Sequence, residues 1–174
     1  MSASTLKSKF AYYIGSLVYG ANDGIITTFA VVAGAAGAGF SSSIIIVLGV
    51  ANLVADGFSM GASKYLSMRS EQEVVTGHDV MHSRSAMHES FATFFAFIIA
   101  GSLPLLPFFF PSAAEHAFIV SSAATGVALF LVGSARALVI RKHAILAGLE
   151  MFLVGGAAAS LAYIFGLWVE TLIR

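Results

Sequence analysis

Residues 43–66 read SIIIVLGVANLVADGFSMGASKYL, and this stretch decides the fold. Crossing the hydrocarbon core as a helix takes about 20 mostly apolar residues. The stretch supplies them with a single acid, Asp56, at its middle and a single base, Lys64, near its end. A charge at bilayer mid-depth costs about 2.5–3.5 kcal/mol on insertion scales, so Asp56 must face protein or water. Its neighbours agree. Asn52, Asp56, Ser59, Met60, Ser63 and Ser67 recur at three- and four-residue intervals, which places them on one helix face.

Working outward, four further segments are long and apolar enough to span: 10–37, 90–110, 117–138 and 145–172. The expected fold is therefore all-α, an integral membrane bundle of five transmembrane helices forming one transporter domain over residues 1–174, with an inside segment at 67–89. Pro104 and Pro107 should kink or end the third helix. The first segment repeats the pattern of the second: Tyr12, Ser16, Tyr19, Asp23 and Thr27 share a face, with Asp23 near its centre. Lys7 and Lys9 ahead of it resemble a signal peptide, but an apolar run of this length with an acid inside reads as a retained helix.

Basic residues set the expected topology. With the N-terminus inside, Lys7, Lys9, Lys64, Arg69, Arg84, Arg136, Arg141 and Lys142 all fall on the inside, and of the nine Lys and Arg only Arg174 falls outside. This arrangement is N-in, C-out. Glycines at Gly20/Gly24 and Gly57/Gly61 are spaced for close helix packing. Five helices form a thin wall around a polar path, so a homodimer is expected.

Composition excludes several classes. The chain is 58% hydrophobic and 10% charged, with a mean hydropathy of +0.89, whereas soluble domains hold about a quarter charged residues. Zero net charge argues against a nucleic-acid partner. The absence of cysteine excludes disulfides, iron–sulfur clusters and thiolate metal sites. No G-x-x-x-x-G-K-[ST] phosphate loop is present, and no histidine lies at membrane depth to serve as a hydrolytic base, so neither ATP drive nor an enzyme is expected. No cofactor is expected.

Two polar stripes, each with a mid-membrane carboxylate, suit a cation path. Carboxylate and amide oxygens bind hard and borderline divalent cations, and a thioether adds preference for softer transition metals. Asp23, Asn52, Asp56 and Met60 form the proposed path, with Glu150 in the fifth helix as a third acid at its inner mouth. The same carboxylates could carry protons in the other direction. The alternative is that the acids are protonated and join helices by hydrogen bonds. A second candidate site lies in the inside segment. If the second helix continues, Glu71, His78, His82 and Glu89 fall on one face, and two histidines one turn apart can share a transition metal. That segment alternatively makes the chain a non-transporting metal-binding or scaffold protein acting through 71–89.

The sequence resembles the vacuolar iron transporter (VIT) family. The matching residues are Tyr19-Gly20-Ala21-Asn22-Asp23-Gly24, then Ala51-Asn52 through Asp56-Gly57-Phe58-Ser59-Met60-Gly61 and on to Tyr65-Leu66 and Ser70-Glu71. The likeness continues through Pro104-Leu105-Leu106-Pro107, Gly133 with Arg136, Glu150-Met151, Gly155-Gly156 and Ala162-Tyr163. It implies a five-helix dimer exporting or sequestering Fe2+, and often Mn2+, in exchange for protons, with Asp23 and Met60 on the path. The chain departs from the family in having Asn52 where many members carry Glu. It is also a short form, without the Glu-rich cytoplasmic domain between helices two and three. The expected location is a prokaryotic plasma membrane, with a vacuolar or other organelle membrane as the alternative.

Overall fold

The structure, a computed structural model, describes residues 3–76, 83–110, 116–139 and 143–173. Among them are five helices and no strand: α1 (Ala3–Gly37), α2 (Ser42–Thr76), α3 (Ser83–Gly101), α4 (Ala117–Val139) and α5 (Ala144–Ile173). Each is long and apolar enough to cross a membrane, over Tyr13–Gly37, Ser42–Glu71, Ala86–Phe109, Ala117–Ala137 and Ala144–Ile173. The five expected spans are all present. The second helix runs farther than its apolar stretch, through Ser67 to Thr76, where no Gly or Pro interrupts it. Pairs one turn apart, Ser67 Oγ to Glu71 at 3.3 Å and Arg69 Nε to Glu73 at 2.9 Å, link side chains along this exposed extension.

Sequence punctuation sets the helix ends. Pro104 and Pro107 supply no amide donor, so α3 stops at Gly101 and the chain tightens into a 3-10 segment, Leu103–Phe109. The Ser121 hydroxyl of α4 donates to the Pro104 carbonyl at 2.6 Å and satisfies one group freed by this break. At the other turn, Gly39 adopts φ +69, while the Phe40 and Gly39 amides donate back to Ala35 and Ala36 at 3.0 Å. This is a Schellman close to α1, and it needs a left-handed residue that glycine supplies at no steric cost.

Helix α1 is the hub and packs against each of the other four. Ile25, Thr28 and Val32 are fully buried along it. Close backbone approach through glycine sets the neighbours and their directions. A side chain at Gly20 would strike the Thr93 carbonyl and one at Gly24 the Phe97 carbonyl, so α3 runs parallel to α1. On the other flank Gly155 meets Ile26 and Gly34 faces the Ala162 carbonyl, so α5 is parallel as well. Gly57 meets Ile98 and Gly61 meets Phe94, while Gly126 meets Phe152 and Gly133 meets Ala147; α2 and α4 therefore run the opposite way. The basal end of the bundle is where α1, α3 and α5 begin and α2 and α4 finish. The outer surface stays apolar, with Val54, Phe58, Phe95, Ile119, Leu153 and Phe165 among many large exposed side chains. That is the inversion expected where acyl chains replace water.

Candidate functional site

The polar stripes of α1 and α2 meet. Tyr19 and Asp23 from α1 join Asp56, Ser59, Met60, Ser63, Lys64 and Ser67 from α2 around one open cleft of about 460 Å³. Helical period explains this grouping, because each member lies three, four or seven residues from another on its own helix. Both acids sit at the middle of their spans, Asp23 within Tyr13–Gly37 and Asp56 within Ser42–Glu71. Asp23 is half-buried, and Asp56 is exposed on the single chain. The Thr27 hydroxyl donates to the Asp23 backbone carbonyl at 2.7 Å, so this polar group is satisfied within α1.

This arrangement brings two carboxylates and a thioether to the same opening, with hydroxyls around them. A divalent cation there would meet oxygen donors first and a soft sulfur beside them, a donor set suited to first-row transition metals. Two carboxylates carry enough negative charge to balance such an ion, which matters where water cannot screen it.

The other sequence candidates are placed differently. Asn52 lies one turn along α2 from Asp56 but outside the cleft lining, half-buried, with no hydrogen-bond partner for its Nδ2 among the described residues. Asn22, beside Asp23, has an equally buried and unpartnered Oδ1. Glu150 is exposed on α5, which packs on α4 and α1, and it does not line the cleft.

Glu71 is exposed near the end of α2, accepting from Ser67, while Glu89 lies in α3 and is only 4% exposed. These two residues therefore do not share the face of one continuous helix, because α2 ends at Thr76 and α3 starts at Ser83. His78 and His82 lie outside the described residues. Among the described residues no group of three or more His, Asp or Glu is placed to hold a metal ion.

The basal end of the cleft holds a feature that sequence reasoning missed. Glu89 Oε2 accepts from the Ser16 hydroxyl at 2.9 Å and lies 3.7 Å from the Lys64 ammonium. Three helices thus meet at one buried carboxylate. Lys64 had counted only as an inside charge, yet it follows Met60 by four residues and Asp56 by eight, a spacing that already put it on their face.

Comparisons with known proteins follow the same segments. The sequence profile of the VIT family matches residues 14–79 and 75–167, two stretches that meet where α2 ends. Vacuolar iron transporter 1 of Tulipa gesneriana is 23% identical over 208 aligned positions, covering 86% of this chain and 84% of that protein. Vacuolar iron transporter 1 of Oryza sativa subsp. japonica is 22% identical over 216 positions, covering 91% and 86%. A vacuolar iron transporter of Toxoplasma gondii is 44% identical over a shorter stretch of 63 residues, 36% of this chain and 21% of that protein. The two long alignments exceed the 174 residues of this chain, so those relatives carry inserted residues that it lacks.

Proposed function

This chain belongs to the VIT family, and on that premise we propose that it carries a divalent transition-metal ion, Fe2+ or Mn2+, across a membrane in exchange for protons. The observation that carries the reading is the meeting of Asp23, Asp56 and Met60 in one cleft at mid-span. The names of the relatives that align over most of the chain, vacuolar iron transporters, support iron as the cargo. A carboxylate that releases metal is free to take a proton, so one pair of side chains can serve both ions on alternate strokes.

Orientation follows from charge. Eight of the nine basic residues favour an inside basal end, and on the export proposed here the ion would move from the cytoplasm past Met60 and the two acids to the far side. The membrane is an organelle membrane on the relatives' names, with a prokaryotic plasma membrane as the other reading. A second copy of the chain is the natural cover for Asp56. An exposed carboxylate at mid-span is costly against acyl chains, and a homodimer closing over α2 would turn the open cleft into a lined passage. Asn52, one turn from Asp56 on α2, would then lie along that passage.

The test is flux in proteoliposomes. Purified wild-type chain should take up Fe2+ or Mn2+ in proportion to an imposed pH gradient, and the D23N/D56N double variant should not. Wild-type-like flux through the double variant rules out this path.

A further inference from the structure

The carboxylate cleft contains its own cation, and something must keep that cation off the acids. Lys64 lines the cleft with Asp23 and Asp56. It lies eight residues beyond Asp56 on α2, about 12 Å along the axis at about 1.5 Å per residue. Side chains on a helix lean toward its N-terminus, which on α2 is the direction of Met60 and Asp56. A free ammonium on this flexible stem would be drawn up the cleft by two carboxylates as far as Met60, about halfway to Asp56. There its positive charge would oppose an arriving divalent ion.

The structure holds it elsewhere. Glu89 sits on α3 at the basal end, with its side chain 6% exposed against 36% for Lys64. Its Oε2 faces the Lys64 ammonium at 3.7 Å, and the Ser16 hydroxyl of α1 donates to the same oxygen at 2.9 Å. The hydroxyl fixes where the carboxylate points, and the carboxylate fixes the lysine. The separation exceeds that of a direct charge-assisted hydrogen bond. Glu89 Oε1 is buried with no partner among the described residues. The pair is thus a restraint with slack rather than a locked bridge. A purely structural pair would gain from closer contact and full satisfaction of both oxygens.

We propose that Glu89 is a positioning residue: with Ser16 it tethers Lys64 at the basal mouth, so that an arriving divalent cation finds Asp23 and Asp56 without a competing ammonium between them. The inference rests on the reading that the cleft binds the transported ion. Lys64 acts as a built-in competitor whose access to the cleft Glu89 controls, and a cation must carry enough charge to keep it displaced. Monovalent ions do this poorly and divalent ions do it well.

The experiment measures Mn2+ binding by electron paramagnetic resonance of the free ion, on full-length chain in nanodiscs, with flux measured on the same preparations. The E89Q variant should raise the Mn2+ Kd by about tenfold, since it frees an ammonium to move toward the acids and repel the ion. Its maximal flux should stay near wild type. The K64M/E89Q double variant should bring the Kd back to the wild-type value or below it. That rescue separates the tether from a role in folding, which loss of the lysine would not repair. An unshifted Kd in E89Q, or a Kd in the double variant as weak as in E89Q, overturns the proposal. Should E89Q not be recovered folded, E89D with and without K64M decides by the same two readouts, with a smaller shift. Mn2+ binding without flux in the wild type strikes the transport reading alone. Flux with an unshifted E89Q curve strikes only the tether, and a wild type that neither binds nor moves Mn2+ removes both.

Discussion

Two hollows flank the central helix, and they differ in everything except size. Toward α2, α1 presents Tyr19 and Asp23 to a cleft of about 460 Å³ that also takes Asp56, Met60 and Lys64. Toward α4 and α5 it presents Phe29 and Ala33 to a groove of about 390 Å³ walled by Phe118, Leu129, Phe152 and Tyr163. In the second hollow Phe29 stacks on Phe118 at 6.3 Å between ring centroids, and Phe118 on Tyr163 at 5.8 Å. Among the described residues no charged side chain lines it. Glycine brings the backbones together on both flanks of α1. Close packing is therefore common to the whole bundle, while the carboxylates and the thioether gather on one side of it.

The sharpest way to break that contrast is to remove polar groups from each side in turn. Asp23→Asn or Asp56→Asn should each lower metal flux by about a hundredfold or more, on the scale by which metal sites respond to lost ligand or support groups. Thr125→Val in the aromatic groove should leave flux within about twofold, because that side offers the ion nothing. Equal losses from both substitutions would show that the bundle responds as a whole and that the two hollows are not functionally distinct. Next in size is packing. Gly24→Val pushes a branched side chain into the Phe97 backbone and should cost about 2 kcal/mol of stability, the usual range for overpacking. Gly156, in the aromatic groove, has open space around an added Cβ. Gly156→Ala should therefore change stability by less than about 0.5 kcal/mol. Unfolding in mixed micelles measures both. The smallest effect is expected at Met60. Met60→Leu keeps the volume and removes the sulfur, and should shift preference from softer toward harder divalent ions by about threefold without stopping flux. Competition between Fe2+ and Mn2+ in the same liposomes reads that shift.

The parts of this site legible in the sequence share one physical property: they lie on a single helix whose background is apolar. Asp56, Ser59, Met60 and Ser63 could be phased against one another because α2 carries its period unbroken through them. Asp23 was conspicuous for the same reason, as was the end of α3 at the prolines. What could not be read is which helices become neighbours. Glu89 was phased with Glu71 as if one helix ran through both, but phase is lost wherever the chain reverses, and α3 turns that acid inward to Ser16 and Lys64. Glu150 was assigned to the ion path from its depth alone. Depth does not fix azimuth, and α5 packs on α4 and α1, leaving Glu150 off the cleft. Lys64 was visible on the right face all along, yet its role depends on a partner from a third helix.

The glycine seam between α1 and α3 has a mechanical consequence. With the backbones at Gly20 and Gly24 seated against Thr93 and Phe97, and Gly101 against Gly24, these two helices cannot part without separating main chains that touch directly. They form a fixed post. The seats of α2 on this post are looser: Gly57 meets the Ile98 side chain, which can rotate, and a side chain at Gly61 would stand 3.3 Å from Phe94 Cβ and from the Ser90 carbonyl. If the proposed passage widens, the looser seat makes α2 the helix to swing, and Asp56, Met60 and Lys64 would travel with it as one jaw.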